Sequence, residues 1–114
     1  MAQCRDAGTW GTYAGGSAPG LALDTATWIF DRDIAAVATD TWGMEVLPNQ
    51  TPDVFQPLHI ILLVHAGLMV GEIFDLEPLA DDCAADGRYE FLFSAPPLPI
   101  TGGVGSPVNP LAIK

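Results

Sequence analysis

Four residues of this sequence, Asp40, His59, Glu72 and Asp75, carry side chains that could act together on a divalent cation. A neutral imidazole with carboxylates is a shell suited to zinc or manganese. Their spacing lets them meet. A helix that starts near His59, after a strand over 34–38, begins beside the Asp40 end of that strand. From His59 to Ala66 such a helix runs about 12 Å at 1.5 Å per residue. A strand from Leu68 to Glu72 returns about 16 Å at 3.3 Å per residue. A tight turn at Gly67 then brings Glu72 back to the level of His59, and the four residues share one rim, where open α/β sheets favour ligands. The same residues have plainer roles as well. A single histidine at a helix start commonly caps or faces solvent, and a glutamate at a strand edge is commonly just solvated. His65 falls on the far side of the same helix and reads as packing or surface. Two histidines without a paired-cysteine motif make no self-contained zinc site.

Other groups carry less chemistry. Gly102-Gly103-Val104-Gly105 has the glycines of a phosphate loop but neither the lysine nor the helix that should follow. Ser17, Ser94 and Ser106 lack a nucleophile-elbow context, so a serine hydrolase is unsupported. The acidic residues Glu72, Asp75, Glu77, Asp81, Asp82 and Asp86 lack the ordered spacing of a calcium loop and read as a wet helix face.

The elements that must position these residues can be read from hydrophobic spacing. Residues 1–20 form a glycine-rich arm, and residues 21–114 form the folded domain. A helix is expected over 22–31, where apolar residues recur at three- and four-residue steps. The run Ile34–Ala38 reads as a strand buried on both faces. A loop follows over 42–54. Asp53 then caps a helix over 55–66, with Pro57 in its tolerant first turn and Gly67 as its stop. Further elements are a strand over 68–74, a helix over 76–84 capped by Asp75, a strand over 89–93 and a short strand over 111–113. About four strands and three helices make an α/β domain, with α+β as the alternative.

Composition bounds the class. The chain has 114 residues, 49% of them apolar, and a net charge of −10. That suits one small domain, burying about two-thirds of its unfolded surface. The acidic excess repels phosphate backbones and anionic lipids, which sets aside nucleic acid and membrane as partners. The apolar stretch Leu58–Val70 holds two histidines and falls short of the roughly 20 residues of a membrane span. Met1–Asp6 has no apolar core, so no signal peptide is expected. Cys4 and Cys83 read as free thiols in a reducing, cytoplasmic compartment.

Several segments taken together resemble the cyclase family, which includes bacterial kynurenine formamidase and isatin hydrolase. They are Pro19-Gly20-Leu21, Trp28-Ile29, Arg32–Val37, Asp40-Thr41, Pro57-Leu58-His59, Ala66-Gly67, Glu72, Pro96-Pro97-Leu98 and Gly102–Val108. The resemblance is to the second half of the family and spans roughly residues 8–114. It implies a partial swivelling β/β/α fold and hydrolysis of small acyl or cyclic amides by water activated on zinc or manganese. It makes His59 a metal-ligand histidine and Glu72 the glutamate that follows it, at a spacing slightly longer than usual. Asp40 matches a family aspartate of unassigned role.

The family's main metal motif, His-x-Gly-Thr-His-x-Asp, is absent from this chain. A catalytic zinc normally takes three protein ligands and keeps a position for water. The expectation is therefore a truncated cyclase-family chain without stand-alone catalysis, its metal weakly held or absent. Half of a sheet exposes an edge and an apolar face, so a homodimer or higher homo-oligomer is expected to cover them. One alternative is a metal-dependent amide hydrolase whose site another chain completes. A second is a small-molecule binding module with an aromatic pocket built from Trp10, Trp28, Trp42 and Phe55.

Overall fold

The computed structural model describes residues 2–114. The chain forms two compact units, Met1–Leu76 and Glu77–Lys114. The first contains α1 (Ala2–Ala7), α2 (Thr25–Asp31), β1 (Ala36–Ala38), α3 (Pro57–His59, continuing as a π-helical segment over Ile60–His65) and β2 (Met69–Gly71). The second contains α4 (Glu77–Asp86), β3 (Leu92–Ser94) and β4 (Leu111–Ile113). The architecture is mixed α/β. The three expected helices and four expected strands are present, and the short α1 precedes them within the arm.

In the first unit β1 and β2 run parallel, with Ala36 opposite Met69, Val37 opposite Val70 and Ala38 opposite Gly71. The α3 segment connects them as a crossover, as parallel pairing requires. Ile29, Met44, Leu58, Leu62 and Leu68 form the core, with Leu21, Ile34, Val37 and Val70 packed around it. Backbone turns set the element ends. Asp33, at φ 52°, turns α2 toward β1, and Ile73, at φ 62°, follows β2. Both strands are therefore shorter than the apolar runs that contain them. Gly67 ends the π-helical segment at φ 66°, where a glycine is least strained.

Two expectations need correction. The helix starts at Pro57, because Gln56 before it is left-handed, at φ 51° and ψ 57°, so Asp53 is not its cap. Pro57 takes the first helical position, where its missing N–H costs nothing. The β1 strand is also not covered on both faces, since Ala36 and Ala38 are exposed. On that face the Phe74 ring packs against Gly71, the partner of Ala38, and leaves Ala36 and Ala38 exposed.

In the second unit β3 and β4 are antiparallel, with Leu92 opposite Ile113. The pairing begins at Leu92, so the expected strand over 89–93 shifts toward Ser94. Gly87, at φ 69°, closes α4, its N–H donating to the Cys83 carbonyl at 2.9 Å. Lys114 Nζ lies 2.8 Å from Asp82 and 2.9 Å from Asp86, tying the end of β4 to α4. Cys4 and Cys83 are both free thiols. No helix among the described residues is long and apolar enough to cross a membrane.

Within the first unit, Ala18 of the arm and the adjoining Leu21 bridge to Leu47 and Glu45. Gly20 between them allows the approach. A Cβ there would lie 2.4 Å from the Glu45 carbonyl carbon and 2.6 Å from the Val46 nitrogen, both backbone atoms. Gly20→Ala is expected to cost about 1–3 kcal/mol, the usual range for overpacking. Urea unfolding measures it, and an unchanged midpoint would contradict this close packing.

Candidate functional site

The site grows from three turns of the first unit. Beyond β1, Thr41 Oγ1 donates to the Gly43 carbonyl at 2.7 Å and lies 3.1 Å from Thr39 Oγ1, which shapes the run into Met44 and Glu45. Beyond β2, the Ile73 and Phe74 N–H groups donate to the Thr41 and Thr39 carbonyls, and this holds Glu72 beside that run. The start of α3 supplies His59.

These turns bring His59 and Glu72 together, as the rim geometry predicts. His59 Nε2 lies 2.9 Å from Glu72 Oε1, and the same oxygen accepts the Met44 N–H at 2.8 Å. The other ring nitrogen, Nδ1, lies 3.0 Å from Glu45 Oε2. The Glu45 side chain is 2% exposed, that of His59 15% and that of Glu72 30%. The imidazole is thus clamped between a buried carboxylate behind and a more open one in front. A neutral imidazole has a single N–H, so the two contacts together call for one further proton or a cation.

Glu45 was missed by sequence reasoning. Its Oε2 also accepts the backbone N–H groups of Leu58 at 3.0 Å and His59 at 3.3 Å. A helix leaves its first N–H groups unsatisfied, and here a distant carboxylate satisfies them in place of a local cap. The one signal in the sequence was negative: no Ser, Thr, Asp or Asn immediately precedes Pro57.

The remaining candidates are placed differently. Asp40 meets the arm through its backbone carbonyl, which accepts the Tyr13 hydroxyl. Burial, with the charges of Asp40, Cys4 and Glu72, raises the Tyr13 phenol above its usual range. Asp75 is exposed beyond Phe74. Trp10 pairs with Tyr13 at 5.2 Å between ring centroids, Trp28 carries the Arg32 guanidinium at 5.7 Å, and Phe55 is 71% exposed.

The donor set suits a divalent ion in part. His59 would offer Nε2 and Glu72 a carboxylate oxygen, and Glu45 already holds the rear nitrogen. Among the described residues, no group of three or more His, Cys, Asp or Glu could hold a metal ion.

No family model matches the chain, and no curated protein matches it. A solved structure does: the crystal structure of a novel cyclase, 46% identical, with a TM-score of 0.77 over 86% of this chain. The match takes in 31% of that chain's length. This chain accordingly belongs to the cyclase family and spans a part of that fold.

Proposed function

We propose that this chain contributes half of a divalent-metal site for amide hydrolysis and does not hydrolyse amides alone. The observation that carries the reading is the His59–Glu72 pair, converging at 2.9 Å with no third metal-binding side chain grouped with it among the described residues. Zinc or manganese, when bound, would supply the acid that activates water. His59 would offer its Nε2 lone pair and Glu72 its Oε1, while the Met44 N–H keeps that oxygen in place. Ligation by two side chains is too weak for a resident catalytic ion, which normally has three. The remaining ligands lie outside these 114 residues.

The surface of the first unit supports assembly. Phe30, Ile60, Leu63, Val64 and Met69 are all exposed large apolar residues, and Val64 is 72% exposed. Apolar surface of this kind marks an interaction face. A second copy of this chain is the simplest cover, and the two free thiols suit a reducing cytoplasm. Multi-angle light scattering at micromolar concentration should give the mass of two or more copies. A monomer at that concentration would remove the self-assembly reading. Small formamides and lactams should show no turnover with the chain alone, with or without added zinc or manganese.

A further inference from the structure

We propose that Glu45 is a positioning residue that fixes the His59 ring, holding its proton on Nδ1 and turning Nε2 toward Glu72. The geometry of one oxygen carries this. Glu45 Oε2 faces three nitrogens: Leu58 N at 3.0 Å, His59 N at 3.3 Å and His59 Nδ1 at 3.0 Å. The first two are backbone N–H groups and can only donate. An oxygen that serves them as an acceptor is also an acceptor toward the ring, so Nδ1 carries hydrogen, and the further proton or cation belongs between Nε2 and Glu72 Oε1, which itself accepts the Met44 N–H. Nε2 then faces Glu72 Oε1. The hold is rigid at both ends. The Glu45 side chain is almost fully buried, and its backbone is packed against Gly20. It accepts from the backbone N–H of His59 and from the ring of the same residue, which limits rotation about both side-chain torsions.

A carboxylate behind a ligand histidine sets the tautomer and strengthens the opposite nitrogen as a donor to a metal. The consequence for metal binding rests on the half-site reading above, whereas the ring geometry does not. Glu45 would then have two duties, capping α3 and orienting its histidine. Glu45→Gln separates them. Glutamine has the same shape and keeps an acceptor for the two backbone N–H groups, but it lacks the charge.

Long-range proton–nitrogen correlation spectra of the full chain, labelled at histidine, read the ring directly, with the exposed His65 as an internal reference. The expected result is a proton on His59 Nδ1 with a strongly downfield resonance, moving upfield in Glu45→Gln while circular dichroism stays unchanged. A bare Nδ1 in the parent chain, or a Glu45→Gln spectrum identical to it, would overturn the proposal, since a pure capping role leaves the ring signals alone. Should Glu45→Gln fail to fold, the parent spectrum still decides through Nδ1. Added zinc should perturb Nε2 rather than Nδ1. A protonated Nδ1 without any zinc response would sink the half-site reading and leave the role of Glu45 standing.

Discussion

His59→Ala should abolish zinc binding by this chain, with an affinity loss of at least about 100-fold. Replacing groups that merely support a ligand already costs 10–100-fold, and His59 is itself the nitrogen donor. Once it is gone, Glu72 remains as a lone carboxylate, 30% exposed and in competition with water. The fold should survive. Glu45 keeps its two backbone donors, and Glu72 keeps the Met44 N–H. His65→Ala is the matched control, because that imidazole is exposed at the end of the π-helical segment and should leave the isotherm unchanged. Titration calorimetry on the three chains decides the matter. Equal zinc affinity in the parent and His59→Ala would place any ion elsewhere, and equal loss in both histidine variants would point to nonspecific chelation.

The meeting of His59 and Glu72 was legible because it depends on regular geometry. A strand end, a helix start and a return strand after Gly67 have fixed rises per residue, so their levels can be compared before any packing is known. The resemblance to the cyclase family agreed on the same two residues. Glu45 was not legible, since it lies in an irregular segment where no periodicity operates, and its bond to Leu58 spans 13 residues. Its effect was hidden as well, because Asp53 reads as a local cap for the same helix. The π-helical Ile60–His65 was hidden for another reason. An apolar run of that length satisfies a π-helical period and an α-helical one equally well. The reading of Ile34–Ala38 as a strand covered on both sides failed in an instructive way. The residues suit burial, yet Ala36 and Ala38 stand exposed, in a chain that spans under a third of its structural relative.

Two positions on one helical segment should separate folding from assembly. Leu62 is completely buried in the core, and Val64, two residues on, faces outward. Leu62→Ala is expected to lose about 2–5 kcal/mol, the range for deleting a buried leucine. Domains of this size are held by about 5–15 kcal/mol in total. The core of the first unit rests on five buried side chains, so little surrounding packing can collapse into the void. A large drop in the urea midpoint should follow. Val64→Ser should change the stability of an isolated protomer by only about 0.5 kcal/mol, as exposed substitutions usually do. If the outward face is covered by a second copy, however, the same change introduces a hydroxyl into that contact and lowers the mass seen by light scattering. A stable chain whose mass stays unchanged in Val64→Ser would move the contact off this helix face. A midpoint shift as large as that of Leu62→Ala would mean that the face is already buried and that folding and association are one event.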